Sequence, residues 1–338
     1  MDATKYKTTV TSRGITYSYY YAAAKPSKPT ILFCHGFPSA SQHWEKEVLF
    51  FEGHGYGTIV PDMLGFGGTG KPTDANAYVP SLVSRDLVEV LDAAGLHKVI
   101  AIGHDWGAKA VSRLANHYPE RFYAYAFFAL PYIPVTPPVD FAELLASQKA
   151  QYGYELYGYW YYMSTKHEFN TDFRAHPDSM VSLWFPYNTT DWVTKFAPTG
   201  AMKRTMVSDF VTPLPAYLNE GDKRWFIDHF MKNGFDAAAR WYEVAMTPKA
   251  AEDDIRTIPE DRRLPPVSAP LFFGAAKDDR VCLPQIGYEL FAEEEFKGHD
   301  ITIREFDGDH WIILSHADQI NKELLGWIEG TVSTKVNL

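Results

Sequence analysis

The stretch with the clearest chemical potential runs from Gly103 to Gly107 and has Asp105 at its centre. The branched apolar run 99–102 before it predicts a strand, and residues 108–115 after it predict a helix. Glycines on both sides of a strand-to-helix turn are typical of a nucleophile elbow, which exposes the central side chain. The usual centre is a serine, whereas a carboxylate can attack an sp³ carbon and form an alkyl ester on the protein. The sequence therefore predicts covalent catalysis through Asp105.

Two later segments contain the groups needed to hydrolyse such an ester. Asp278 and Asp279 follow a predicted strand at 271–275, and His310 follows a predicted strand at 300–306. A carboxylate that orients His310 would let the imidazole take a proton from water, which then attacks the ester carbonyl. Of the two acidic residues we favour Asp278 as this partner, and Asp279 on the same loop is the alternative.

Attack on the ester creates an oxyanion, which backbone N–H groups can stabilise. We expect these donors to be Phe37, which follows a predicted buried strand, and Trp106, which follows the nucleophile. We also expect His35 and Pro38, on either side of this loop, and Trp311, after the histidine, to contact substrate.

The segments that position these residues alternate between short apolar strands and amphipathic helices. Strands are predicted at 14–22, 30–34, 57–60, 99–102, 122–130, 271–275 and 300–306. Helices are predicted at about 39–52, 80–94 and 316–328. This alternation indicates an α/β fold whose mostly parallel sheet has helices on both faces.

The alternation stops at Pro131, and residues 139 to about 247 are mostly helical and aromatic, without a buried-strand pattern. We therefore predict a core formed by 1–130 and 248–338, with a helical lid inserted at 131–247. The lid contains a run of tyrosines at positions 152, 154, 157, 159, 161 and 162. Most of them should pack the lid on the core, but two phenols in the pocket would stabilise the oxygen of an opening epoxide.

Composition limits the partners and the compartment. The 338-residue chain has a net charge of −10, which argues against nucleic acid or an anionic membrane as a partner. Its N-terminus lacks an apolar signal region, no apolar run reaches the length of a membrane span, and two cysteines cannot form a disulfide framework. We predict a cytoplasmic protein that needs no cofactor or metal; its sequence does not specify an oligomeric state.

Five motifs together resemble those of epoxide hydrolases of the α/β-hydrolase superfamily. The chain is similar to the hydrolase domain of soluble epoxide hydrolases and to their stand-alone microbial relatives. The motifs are HGFP at 35–38, PDMLGFG at 61–67, GHDWG at 103–107, KDD at 277–279 and GDHW at 308–311. The resemblance implies an α/β-hydrolase fold and the conversion of epoxides and water to vicinal diols.

The resemblance also implies two catalytic tyrosines in the lid. Tyr242, after a tryptophan, matches the second of them, and Tyr159 matches the first best. Tyr154 and Tyr157 are alternatives for the first tyrosine and are otherwise expected to contact substrate. Trp160 stands where some relatives have glutamine, which would reshape the pocket.

Two other functions use the same fold. Haloalkane and haloacetate dehalogenases share the aspartate nucleophile, and in haloalkane dehalogenases a tryptophan at the position of Trp106 holds the halide. The second halide contact is often an asparagine where this chain has Phe37, and haloacetate enzymes have arginine at the position of Trp106. A non-catalytic ligand receptor on this fold can lose triad chemistry, whereas this chain retains all the candidate residues.

Overall fold

The computed structural model of the protein describes residues 1–336, without the side chains of Lys166, Lys335 and Val336. The last two residues of the predicted core segment 248–338 lie outside the described residues. An eight-stranded sheet forms the centre of the molecule, in the spatial order β1-β2-β4-β3-β5-β6-β7-β8. The strands are β1 (Tyr6–Val10), β2 (Thr16–Ala22), β3 (Thr30–Cys34), β4 (Gly57–Pro61), β5 (Val99–His104), β6 (Phe122–Phe128), β7 (Leu271–Ala276) and β8 (Ile301–Phe306).

The sheet is mostly parallel, as the alternation in the sequence predicts. Strand β2 is antiparallel to β1 and to β4, and every other neighbouring pair is parallel. In a parallel sheet the carboxyl ends of the strands share one edge, so the loops after β3, β5, β7 and β8 can form one site.

Helices surround the sheet. Those before β6 are α1 (Glu45–Gly53), α2 (Pro80–Ala93) and α3 (Trp106–His117). Those between β6 and β7 are α4 (Phe141–Tyr152), α5 (Tyr159–Met163), α6 (Lys166–Ala175), α7 (Pro177–Trp184), α8 (Ala201–Met206), α9 (Glu220–Asn233), α10 (Arg240–Met246) and α11 (Lys249–Thr257). Those after β7 are α12 (Pro284–Ala292), α13 (Ile312–Ser315), α14 (Ala317–Trp327) and α15 (Ser333–Val336).

Both faces of the sheet are buried. On β3, Ile31 and Phe33 pack in a cluster with apolar residues of α1 and α14, whereas Leu32 and Cys34 pack in a second cluster with α2 and α3. Successive residues of a strand point to opposite faces, so a strand covered on both sides needs a continuous apolar run. The α/β fold with helices on both faces is thus confirmed.

The helices α4 to α11 form the insertion between β6 and β7, and two hydrogen bonds tie it to the loop after β8. The indole Nε1 of Trp311 donates to the carbonyl oxygen of Trp184 at 2.7 Å. The hydroxyl of Tyr217 donates to the carboxylate of Asp309 at 2.8 Å. The predicted lid limits, 131 and 247, stay a prediction.

The N-terminal edge of the sheet differs from the expectation. The sequence predicts the first strand at 14–22, but an earlier strand, β1, pairs with β2 and is itself the edge of the sheet. Strand β1 was missed because it is mostly exposed and polar, with Lys7, Thr8 and Thr9 at its centre.

Among the described residues, no helix combines the length and apolarity that crossing a membrane requires.

Candidate active site

Asp105 lies on a strained turn between β5 and α3. Its φ of 55° is in the left-handed region, which non-glycine residues rarely adopt. The glycines around it are required by close approach: a Cβ on Gly103 would lie 2.3 Å from the oxygen of Gly107, and one on Gly107 would lie 2.0 Å from the oxygen of Cys34. A Cβ on Gly36 would lie 2.1 Å from the carboxylate of Asp105 itself. The turn therefore has the geometry of a nucleophile elbow.

The two oxygens of the Asp105 carboxylate have different surroundings. Oδ1 accepts a hydrogen bond from the backbone N–H of Phe37 at 2.8 Å, while Oδ2 lies 3.6 Å from Nε2 of His310. Burial raises the pKa of Asp105, and the charge of His310 and the N–H groups of Phe37 and Trp106 oppose that rise. The two predicted oxyanion donors thus already reach the carboxylate group on which charge would develop.

His310 is held by a buried carboxylate. Its Nδ1 lies 2.7 Å from Oδ2 of Asp279, which has no exposed surface. The other oxygen of Asp279 accepts the N–H groups of Val281 at 2.9 Å and Cys282 at 2.8 Å. This arrangement fixes the imidazole so that Nε2 faces the nucleophile.

The prediction that Asp278 orients the histidine is wrong. Asp278 is exposed and forms an ion pair with Arg280, at 3.2 Å. The turn after β7 points these two neighbouring side chains in different directions, and only Asp279 points into the protein. Asp279, the alternative on the same loop, takes the position beside His310.

The charges around His310 determine its protonation. Burial alone would lower the pKa of His310, but the negative charges of Asp279 and Asp105 raise it to about 8. The imidazole of the resting protein is therefore mostly protonated at neutral pH, and its Nε2 faces the Asp105 carboxyl group.

Two tyrosines of the insertion lie close to the nucleophile. Tyr159 begins α5 and Tyr242 lies in α10, and their ring centroids are 6.0 Å apart. Both line cavities that Asp105 also lines. Burial raises the pKa of both phenols well above the usual value, so each keeps its proton and can donate it. The indole of Trp106 packs edge-on against Tyr242, with centroids 5.1 Å apart.

The other two candidate tyrosines differ from each other. Tyr157 stacks on Trp160 at 4.7 Å between centroids, and both side chains line a cavity with Asp105. The hydroxyl of Tyr154 instead donates to the carbonyl oxygen of Arg280 at 2.7 Å. This bond turns the polar end of Tyr154 to a backbone loop, and Tyr154 lines neither cavity beside Asp105, so its substrate contact stays a prediction.

The predicted substrate contact of His35 is contradicted. The side chain is completely buried, its Nε2 accepts the N–H of Met63 at 2.9 Å, and its Nδ1 donates to the oxygen of Gly36 at 2.8 Å. Burial lowers the pKa of His35 to about 4, so the ring stays neutral. His35 therefore stabilises the loop that contains Phe37 through these two hydrogen bonds, and it lines neither cavity beside Asp105.

Two cavities meet at Asp105 and Tyr159. The large cavity has a volume of about 260 Å³, and its wall includes Trp160 and the apolar residues Ile133, Ile286 and Leu290. The small cavity has a volume of about 30 Å³, and its wall includes His310, Pro38, Trp311, Trp184, Trp192 and Phe196. The predicted contacts of Pro38, Trp160 and Trp311 with the pocket agree with these positions.

Several of these wall residues have no functional signal in the sequence. Ile286 and Leu290 come from α12, and Trp184, Trp192 and Phe196 come from the insertion. Their patterns are those of ordinary helix-packing residues, and only the folded chain brings them to Asp105.

One cluster in the site has side chains that can bind a metal. Ligand atoms of Asp279, Cys282 and His310 lie within 4.8 Å of one another. Burial raises the pKa of the Cys282 thiol well above its usual value, and Asp279 and His310 are hydrogen-bonded to each other. A neutral thiol beside a paired carboxylate and imidazole fits a proton-transfer site better than a metal site.

A family model described as the α/β hydrolase fold matches residues 29–317. The chain therefore belongs to the α/β-hydrolase fold family.

Relatives within this family agree with the resemblance seen in the motifs. Bifunctional epoxide hydrolase 2 of Sus scrofa is 25% identical over 314 residues, which cover 90% of this chain and 52% of the relative. Epoxide hydrolase 2 of Siraitia grosvenorii is 29% identical over 241 residues, covering 70% of this chain and 72% of the relative. The match thus spans only about half the length of the Sus scrofa protein.

Solved structures show the same fold. The crystal structure of epoxide hydrolase A from Mycobacterium thermoresistibile has a TM-score of 0.76 at 22% identity, covering 96% of this chain and 98% of that one. A Vigna radiata epoxide hydrolase mutant has a TM-score of 0.77 at 20% identity, with the same coverage.

Proposed function

We propose that the protein is an epoxide hydrolase that converts an epoxide and water to a vicinal diol through an alkyl ester on Asp105. The observation that supports it most strongly is the position of two phenols, Tyr159 and Tyr242, in the cavities that Asp105 lines. A carboxylate that forms an ester is compatible with several reactions. A pair of neutral phenols beside it can donate hydrogen bonds to the oxygen that is released when a C–O bond breaks, which favours an epoxide as the substrate.

The first step is ring opening. An oxygen of Asp105 attacks an epoxide carbon, the C–O bond breaks, and the released oxygen takes a proton from Tyr159 or Tyr242. The phenols stay protonated until this point because burial raises their pKa. Asp105 needs no base, because a carboxylic acid is ordinarily ionised at neutral pH. Burial raises the pKa of Asp105, and the charge of His310 and the N–H of Phe37 oppose that rise.

The second step is hydrolysis, and the first step prepares it. Ester formation removes the negative charge of Asp105, which is one of the charges that raise the pKa of His310. The pKa of His310 therefore falls in the ester, and the imidazole passes its proton to the tyrosinate left by ring opening and becomes a base. It then takes a proton from water, the resulting hydroxide attacks the ester carbonyl, and the N–H groups of Phe37 and Trp106 stabilise the oxyanion. As the tetrahedral intermediate breaks down, the departing alkoxide takes up the proton of the newly added hydroxyl group, which releases the diol and restores the Asp105 carboxylate and the protonated His310.

Turnover on two substrate classes tests the proposal. Purified protein is incubated with styrene oxide or with a chloroalkane, and diol and chloride are measured. We expect diol from the epoxide, and no diol from Asp105→Asn, which keeps the size of the side chain and loses its charge. Chloride release without diol would instead identify a dehalogenase, and tight binding of the epoxide without turnover would identify a receptor.

The cytoplasmic location predicted from the sequence remains part of this proposal. Fractionation of cells that express the chain, followed by immunodetection, checks it: the chain should appear in the cytosolic fraction, and recovery in a membrane fraction would contradict the prediction.

A further inference from the structure

The large and small cavities differ strongly in size. The large cavity has a volume of about 260 Å³ and the small one of about 30 Å³, so only the large cavity can hold a substituent of several carbon atoms. The wall residues Ile133, Ile286 and Leu290 are apolar, so that substituent should be apolar as well. Since Asp105 and Tyr159 line both cavities, the reacting carbon must lie where the two meet.

The small cavity, at about 30 Å³, is large enough to hold a buried water molecule. A buried water needs two to four polar partners. Asp105 and His310 line this cavity, and so does Trp184, whose indole N–H has no hydrogen-bond acceptor in the described part of the chain. These groups match the needs of a water that attacks the ester carbonyl of Asp105.

The walls of the small cavity leave little freedom to expand. Trp192 and Phe196 are stacked on each other at 5.4 Å between centroids, and Trp184 packs edge-on against Phe37 at 5.6 Å. All four rings are at least nine-tenths buried. Forcing extra carbon atoms into such a closely packed space requires backbone or rotamer shifts.

We propose that the protein acts on terminal epoxides with one apolar substituent, which fills the large cavity, while the small cavity is reserved for the hydrolytic water. This inference rests on the epoxide hydrolase function proposed above. An epoxide substituted on both carbons would have to place its second substituent in the small cavity, where it would collide with the aromatic wall and displace the water.

Two isomeric epoxides test this inference in the unmodified protein. With 1,2-epoxyoctane, one hexyl chain enters the large cavity; with trans-4,5-epoxyoctane, one of two propyl groups must enter the small cavity. We expect kcat/KM for diol formation to be on the order of 100-fold higher for the terminal isomer. Similar values for both isomers, or a preference for the internal one, would overturn the inference and leave the epoxide hydrolase function intact. Diol from neither isomer would reject that function, and this inference with it.

A pair of variants then tests whether the small cavity causes the preference. Trp184→Ala removes a wall residue, and Phe173→Ala removes a ring that lies 5.9 Å behind Trp184 and lines neither cavity. We expect Trp184→Ala to reduce the preference for the terminal isomer by roughly tenfold, and Phe173→Ala to keep it. Equal changes in the two variants would contradict the role of the small cavity. If Trp184→Ala fails to fold, the comparison of isomers in the unmodified protein still decides the inference.

Discussion

Replacing Asp279 with asparagine tests the corrected assignment of the residue that orients His310. Oδ1 of Asp279 accepts two backbone N–H groups, so the asparagine oxygen should take over this role and leave its NH₂ group facing Nδ1 of His310. Nδ1 would then have to accept a hydrogen bond, which puts the ring proton on Nε2. An imidazole protonated on Nε2 cannot take a proton from the hydrolytic water.

The expected loss is large because orientation and charge disappear together. Asp279 is the first of the charges that raise the pKa of His310 to about 8, and burial without it would lower that pKa. Loss of a general base typically costs about 10²–10⁴-fold in rate, or about 3–5 kcal/mol of barrier. Ester hydrolysis should slow by this factor, whereas ester formation, which needs no base, should continue.

The assay is intact-protein mass spectrometry during turnover of styrene oxide. Asp279→Asn should accumulate a protein heavier by the mass of the epoxide. The matched control, Asp278→Asn, changes an exposed neighbour with the same substitution and should turn over like the unmodified protein. An inactive Asp278→Asn beside an active Asp279→Asn would refute the reasoning.

Three further predictions follow from the site and the elbow. Tyr159→Phe and Tyr242→Phe should each slow ester formation by roughly 10²–10⁴-fold in quenched single turnovers, and full activity of either variant would contradict its role as a proton donor. Ester hydrolysis should accelerate with rising pH as His310 loses its proton. The midpoint of this pH–rate profile should lie below the pKa of His310 in the free protein, about 8, which NMR titration measures. A midpoint at or above that pKa would argue against the charge effect of ester formation. Gly107→Ala places a Cβ 2.0 Å from a backbone oxygen of β3 and should lower the free energy of unfolding by roughly 3 kcal/mol or more. In the control Gly326→Ala the new Cβ meets no atom within 4 Å, so the free energy of unfolding should not fall. Denaturant melts of both variants measure the difference.

The sequence predicts the core of this fold well because the signals are local. The buried strand at 30–34 and the helix at 80–94 appear within a residue of their predicted limits, since each is a continuous apolar run or an amphipathic period with clear end signals. The same logic places Asp105 and His310 after strands, and thus at one edge of the sheet. Strand β1 lacks such a signal, because it forms backbone hydrogen bonds with β2 but has no apolar face buried in the core.

The arrangement of the site depends on contacts that no local pattern reports. Asp278 and Asp279 have identical side chains on one turn, and only the direction of the backbone after β7 decides which reaches His310. His35 belongs to a motif beside the nucleophile, yet its two hydrogen bonds fix it beneath the loop rather than in the pocket. The sizes of the cavities arise from the packing of residues of the insertion, such as Trp184, against residues that are distant in the sequence.

The central claim is that Asp105 forms an ester and that water attacks this ester. A single turnover with excess protein in water labelled with heavy oxygen, followed by peptide mass spectrometry, tests it most directly. The account predicts that the heavy oxygen appears in the peptide that contains Asp105 and that the first diol formed is unlabelled. Label in the diol with Asp105 unlabelled would mean that water attacks the epoxide directly, and would contradict the account.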